Sequence, residues 1–264
     1  TMNLQNEKDI KIAFFDIDGT LIDMNRKNIS DQMLDCLIRL KENDIILCIA
    51  TGRPPASVPH FPGIEFDAFL TFNASYCFTK DNIILSNPIP SSDVQQIITN
   101  AKTIGRPVAL AGTRQIGANG IDDDLTEYFA ISKQTIDIAD DFEALAQDEI
   151  YQIMVGCRAA DHDLLVKNAP GAKVTAWWDR AADIIPSNGG KGMGVEKILS
   201  YYGLTRDQAI AFGDGSNDIE MLEAVGTGVA MGNATENVKQ AADVVCGSAA
   251  EEGIYHYCLD HHLI

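Results

Sequence analysis

The chain has 264 residues, 38 Asp and Glu against 20 Lys and Arg, and a formal charge of -18. It is 46% hydrophobic and 22% charged, which is enough apolar material for a sizeable core and too little charge for disorder. Nucleic acids and anionic membranes require clustered Lys and Arg, so this balance excludes both as partners, and nothing in the sequence implies an obligate protein partner.

The N-terminal stretch is polar, with no signal-peptide core before Ile12. Residues 11–15 form a short apolar strand ending in DIDGT. Ser30 is placed to cap a helix running to about Glu42, with Met33, Leu34, Leu37, Ile38 and Leu40 at helical spacing. Residues 45–50 are an apolar run ending in TGRPP, and residues 68–72 another ending at Asn73. Such runs are strand-sized, far short of the ~20 apolar residues of a membrane helix. Wholly apolar strands alternating with helices predict a parallel sheet covered on both faces.

The middle of the chain reads differently. Strands are expected near 83–85, 108–111, 150–157, 172–178 and 183–185, with helices near 93–104, 140–147 and 161–168. Their pattern is more alternating, as in a sheet with one solvent face. The acidic run at 122–124 reads as a solvated helix start. From 195 onward the pattern of the first 75 residues returns, with helices at 195–202, 219–224, 236–242 and 255–263 and strands at 208–212, 226–231 and 244–246. The fold class is therefore α/β: a Rossmann-like, doubly wound parallel-sheet core of residues 1–80 and 187–264, with an α+β domain inserted at 81–186.

Six scattered cysteines with no CxxC pair, and dispersed histidines, offer neither a zinc site nor a Ser-His-Asp triad. Buried reduced thiols in a cytoplasmic protein are expected. Four polar clusters instead share one kind of position, each just after a core strand: Asp16 and Asp18, Thr51, Asn73, and Asp214 to Asp218. In an open parallel sheet the crevice outside the carboxyl ends of the strands binds ligands, so these clusters meet at one rim. Asp16, Asp18, Asp214 and Asp218 repel one another unless a hard divalent cation holds them, and all-oxygen ligation suits Mg²⁺. Mg²⁺ prefers a phosphate as a further ligand. Thr51 can donate a hydroxyl to it and Lys191 can set an ammonium beside it, while Gly19 and Gly215 allow tight turns at an anion.

DIDGT (16–20), ATGR (50–53), Lys191 in GGKGMG and GDGSND (213–218) resemble, in order, the four motifs of the haloacid dehalogenase-like superfamily. FNAS (72–75) and the segment 229–245 look like its Cof-type sugar-phosphatase branch, which carries a type IIB cap where the insertion lies. The resemblance implies Asp16 as nucleophile and Asp18 as general acid and base. It implies Mg²⁺ on Asp16, the Asp18 carbonyl and Asp214, with Asp218 supporting the shell. It also implies a phosphoryl group on Thr51, Gly52, Lys191 and Asn217.

An acid two positions after the nucleophile points to a phosphatase rather than a dehalogenase. The implied substrate is a small phosphate ester, a sugar phosphate first. Asn73, Arg53 and Trp178 are candidates to touch it; Trp177 and Trp178 are adjacent on a strand, so one faces the core and the other is free to stack on a sugar or ring. Two departures stand out. Ala74 replaces the branch's usual Gly, and four prolines shorten the helix expected between Arg53 and Asn73. A phosphotransferase or mutase with the same nucleophile, a phospho-accepting receiver and a catalytically silent binding protein are the rival readings.

Overall fold

The computed structural model describes residues 9–264; the polar N-terminal stretch lies outside the described residues. The chain opens on β1 (Ile12–Phe15), α1 (Asp31–Glu42), β2 (Ile46–Ala50) and β3 (Ala68–Thr71), then a hairpin of β4 (Tyr76–Thr79) and β5 (Ile83–Ser86). The middle holds α2 (Ser91–Thr103), β6 (Ala109–Ala111), β7 (Ile116–Ala118), α3 (Asp123–Ile131), α4 (Phe142–Leu145) and β8 (Gln152–Val155). It continues through α5 (His162–Leu165), β9 (Ala172–Trp178) and β10 (Ala181–Pro186). The last part is α6 (Lys191–Tyr202), β11 (Ala209–Gly213), α7 (Ile219–Ala224), β12 (Thr227–Ala230), α8 (Glu236–Ala241), β13 (Val244–Val245) and α9 (Gly253–Asp260).

The larger sheet has the order β13-β12-β11-β1-β2-β3-β4-β5. β13 to β3 run parallel, and β4 and β5 are antiparallel additions at one edge. β1 has β2 on one side and β11 on the other, so strand order reverses there and a crevice opens at its carboxyl end. Alternate residues of β1 serve two cores. Phe15 packs with Leu37, Leu40 and Tyr257 under α1 and α9, and Phe14 with Val195, Ile198 and Met221 under α6 and α7. Ser30 caps α1 by accepting the Met33 N–H at 3.0 Å, a contact that stabilises a helix by about 1 kcal/mol.

The second sheet, β7-β6-β8-β10-β9, is antiparallel throughout. One expectation fails here: the sheet has no open solvent face. Ile153 and Val155 of β8 pack on one side with Val94 and Ile97 of α2 and Leu145 of α4. Met154 points to the other, where α3 brings Leu125, Tyr128 and Phe129, and Phe72 of the larger unit joins them. The alternation in the sequence therefore separates two buried faces.

The acidic run is also more than solvated surface. Asp122 caps α3 through the Leu125 N–H, and Asp122 and Asp124 together grip Arg106 at 3.0 and 2.7 Å. The boundary expected after residue 80 falls inside the β4–β5 hairpin, because β5 pairs into the larger sheet and the chain leaves it only after Ser86. Five cysteines are buried, Cys246 is half-buried, and all six are free.

Candidate active site

The carboxyl ends of β1 and β11 bring the acids together. Asp16 follows β1 directly, its N–H donating to Phe212 O in β11 at 3.1 Å, and its Oδ1 accepting the Ile17 N–H at 2.9 Å. After β11 the chain turns so tightly that Asp218 Oδ2 accepts both the Asp214 and Gly215 N–H groups at 3.0 Å. Lys191, the first residue of α6, is buried between the two motifs. Its Nζ donates to Asp218 Oδ1 at 2.6 Å and to Ala50 O at 2.9 Å, and lies 3.2 Å from Asp16 Oδ1.

Two residues that the sequence pattern does not single out hold this rim. Thr20 donates its hydroxyl to Asp214 Oδ1 at 2.9 Å, and Asn233 donates to Gly19 O at 2.9 Å. Gly19 has φ +80°, and a Cβ there would sit 2.2 Å from Asp214 Oδ2, so only glycine fits this turn.

On the β2 side, Thr51 Oγ1 accepts the Arg53 N–H at 3.0 Å, leaving its hydroxyl hydrogen free to donate. Thr51, Gly52, Asn217, Asp16 and Asp18 line one cavity of about 210 Å³ between the two sheets. Asp18 turns its carboxylate away from the other acids. Arg53 donates Nε to Oδ2 at 2.8 Å and Nη2 to Oδ1 at 2.6 Å, and the same Nη2 reaches Ser132 O after α3 at 3.2 Å. Arg53 therefore joins the rim to the inserted unit.

The family-model comparison covers residues 13–258 with the haloacid dehalogenase-like hydrolase model. The chain belongs to that family. A putative phosphatase, YkrA, of Bacillus subtilis is 30% identical over 93% of this hydrolase and 95% of its own length. The subclass IIB sugar phosphatase BT4131 superposes with a TM-score of 0.89 at 27% identity, over 96% of this hydrolase and all of that chain. BT1666 from Bacteroides thetaiotaomicron, also a phosphatase, gives 0.88 at 27% identity, over 97% and 96%. No described helix of the hydrolase is long and apolar enough to cross a membrane.

The hydrolase's acids suit a hard divalent cation. Carboxylate oxygens of Asp16, Asp214 and Asp218 lie within 4.8 Å of one another, and all three donors are oxygen. Burial and the neighbouring Asp218 push Asp16 well above the usual carboxylate range, with Lys191 opposing. Burial and Asp218 likewise push Asp214 up to about 7. Burial alone would lower the Lys191 ammonium, but Asp16 and Asp218 outweigh it and hold it above the ordinary lysine value. A cation bound to this cluster offsets the same repulsion.

Below the cavity runs a buried polar chain that sequence reasoning missed apart from Asn73. Asp183 of β10 is 1% exposed, has no ion-pair partner among the described residues, and accepts from the Tyr128 hydroxyl and from Asn73 Nδ2, the latter at 3.0 Å. Asn73 spends its other N–H on Gln152 Oε1 at 2.9 Å, and its Oδ1 accepts Asn217 Nδ2 at 3.0 Å. In its ionised form Asp183 only accepts, which fixes the Asn73 amide, and Asn73 in turn makes Asn217 donate. Asn217 keeps one N–H for the cavity.

Asn73, expected at the substrate mouth, is thus buried beneath it and holds Asn217 instead. It lies in a left-handed turn of three residues, Phe72, Asn73 and Ala74, with φ of 50°, 53° and 81°. An acid inside the apolar stretch AADIIP was the one signal that could have exposed Asp183.

The expectation that one tryptophan faces the core and the other the ligand also fails. Ala181 pairs with Trp178 but Ala182 with Ala176, so Trp177 is the extra residue of a β-bulge. The bulge breaks the alternation, and both tryptophans line the cavity.

Proposed function

We propose that this enzyme, which shares its family with named phosphatases, hydrolyses a small phosphate monoester through an aspartyl-phosphate on Asp16. The observation that carries the reading is Asp16 lining one cavity with Thr51 and Gly52, beside a buried ammonium. One oxygen of Asp16 is held by the Ile17 N–H, which leaves the other to attack phosphorus.

As the Asp16–phosphorus bond forms, the bond to the leaving oxygen breaks, and Asp18 gives that oxygen its proton. Asp18 then takes a proton from the water that attacks the aspartyl-phosphate, releasing phosphate and restoring Asp16. The Thr51 hydroxyl, the Gly52 N–H and the free N–H of Asn217 face the phosphoryl oxygens, and the Lys191 ammonium, held behind Asp16, adds positive charge that favours the charge building there. Asp16, Asp214 and the Asp18 carbonyl would hold Mg²⁺, with Asp218 behind them, and the bound ion would supply charge neutralisation at the phosphoryl group.

The inserted residues 81–186, apart from β5, act in this reading as the cap that excludes water and selects the leaving group. BT4131 is a sugar phosphatase, which supports the sugar phosphate expected from the sequence. Other relatives are named for pyridoxal phosphate and for 5-amino-6-(5-phospho-D-ribitylamino)uracil. With both kinds in one family, the cap's own residues decide.

The test is hydrolysis of a generic aryl phosphate with Mg²⁺, with EDTA and in an Asp16→Asn variant. Activity is expected only in the first; near wild-type turnover by the variant would refute the nucleophile. Release of inorganic phosphate without a second hydroxyl acceptor separates hydrolysis from phosphoryl transfer.

A further inference from the structure

Two of the groups assigned to the phosphoryl oxygens, the Thr51 hydroxyl and the Asn217 amide, are set by one side chain of the inserted unit. Gln152 opens β8, is the only polar residue of its QIMV and is wholly buried. Its Nε2 donates to Gly52 O at 2.9 Å, and its Oε1 accepts from Asn73 Nδ2 at 2.9 Å. A backbone carbonyl can only accept, so Gly52 fixes which way the Gln152 amide faces, and with it everything downstream.

One arm of this relay runs through the backbone. The Gly52 carbonyl and the Arg53 N–H belong to a single planar peptide group. Gln152 pins its oxygen, and its N–H donates to Thr51 Oγ1 at 3.0 Å, which turns the hydroxyl hydrogen of Thr51 elsewhere. The other arm runs through side chains. Asn73 donates to Gln152, so its Oδ1 is left to accept, and it accepts from Asn217 Nδ2 at 3.0 Å. The Asn217 Oδ1 is buried with no partner among the described residues. A flipped amide would set that oxygen against Asn73 Oδ1, so the relay holds Asn217 in the very orientation that orphans its acceptor. Gly52 lies directly on the relay, since a Cβ there would sit 3.1 Å from Asn73 Nδ2.

We propose that Gln152 is a positioning residue for phosphoryl binding: docked on Gly52 and Asn73, it aims the Thr51 hydroxyl and the Asn217 N–H into the cavity. The inserted unit then completes the phosphate cradle as well as covering it. This rests on the phosphomonoesterase reading, and it gives Gln152 the same part in every turnover, whatever the leaving group.

The experiment replaces Gln152 in the full chain and reads inorganic phosphate as well as turnover. Gln152→Met keeps the length and the packing and loses both bonds. Binding of inorganic phosphate with Mg²⁺, measured by calorimetry, is expected to weaken by at least about 10-fold. kcat/KM is expected to fall by roughly 10–100-fold, and by the same factor for acetyl phosphate and for an aryl phosphate. A side chain that touched the leaving group would instead separate those two substrates. Gln152→Glu adds a pH readout that packing alone would not move. Protonated, the introduced carboxyl can donate to Gly52 O and accept from Asn73 as the amide does; ionised, it cannot donate. Asp183, on the other side of Asn73, is common to both proteins. The activity of Gln152→Glu relative to wild type is therefore expected to fall from pH 5 to pH 8, and this decides the matter even where Gln152→Met does not fold.

Unchanged phosphate affinity in a folded Gln152→Met, a loss confined to the aryl ester, or a flat pH ratio for Gln152→Glu would overturn the proposal. An absence of Asp16-dependent acetyl phosphate hydrolysis by the wild type would instead remove the phosphatase reading beneath it.

Discussion

Arg53 holds both carboxylate oxygens of Asp18, at 2.8 and 2.6 Å, and with the same guanidinium reaches the Ser132 carbonyl of the inserted unit. A carboxylate gripped at two points has no oxygen turned to a leaving group. If Asp18 is the acid and base of the proposed mechanism, it would have to exchange Arg53 for the substrate when the ester enters. Asp18→Asn removes the proton carrier and is expected to lower kcat by roughly 10²–10⁴. Arg53→Ala leaves the carrier in place, and its loss in kcat is expected to be at least about 10-fold smaller. Steady-state kinetics on one substrate compares the two; equal losses would show that the pair acts as a fixed unit.

Asp183 carries the next prediction. Burial pushes its carboxyl up to about 7, against the hydrogen bonds from Tyr128 and Asn73 that favour the ionised form. The ordinary value is about 3.9. Because the folded value lies above the unfolded one, the group's contribution to stability is complete below about pH 4 and is lost as pH rises through 7. Asp183→Asn stays uncharged throughout. Its Tm relative to wild type is expected to rise between pH 5 and pH 8, measured by calorimetry. A relative fall over that range would mean that the carboxylate is stabilised where it lies.

Mg²⁺ should follow the same arithmetic at the rim. Asp16 and Asp214 are both pushed up by burial and by Asp218, so protons relieve their repulsion at low pH and a cation relieves it at high pH. The rise in Tm on adding Mg²⁺ is expected to be small at pH 5 and larger at pH 8, following its affinity for the ionised cluster. A shift independent of pH would place the ion elsewhere.

Packing at the left-handed turn gives a stability test free of chemistry. A Cβ on Gly194 of α6 would sit 2.5 Å from Ala74 Cβ and 2.6 Å from Leu70 Cδ1. Gly194→Ala is expected to cost about 1–3 kcal/mol by denaturant unfolding. Adding Ala74→Gly removes one of the two clashes and the Cβ from a residue at φ 81°, so part of that loss should return. Strictly additive effects would show that the two residues do not press on each other.

What the sequence disclosed was local, and what it hid was made by distant contacts. Asp16, Thr51 and Asp214 are legible because each stands at the end of an apolar run, where strand direction alone assigns it to the rim. Thr20 and Asn233 act on Asp214 and Gly19 across some two hundred residues, and no local pattern marks such bonds. β4 follows β3 across a turn of a few residues, and β7 is three residues long with Gly117 at its centre, so neither stands out as a separate apolar run. Asp183 reads as an interruption in a strand until Tyr128 and Asn73 meet it. The two tryptophans misled for a specific reason: alternation holds along a regular strand, and a single extra residue cancels it.

The most direct test of Asp16 as the nucleophile is rapid quenching with a phosphate ester labelled in its phosphoryl group, followed by peptide mapping. During turnover the label is expected on the peptide containing Asp16, and it should be missing from Asp16→Asn. Product formed at full rate with no labelled peptide, or label on any other residue, would contradict it.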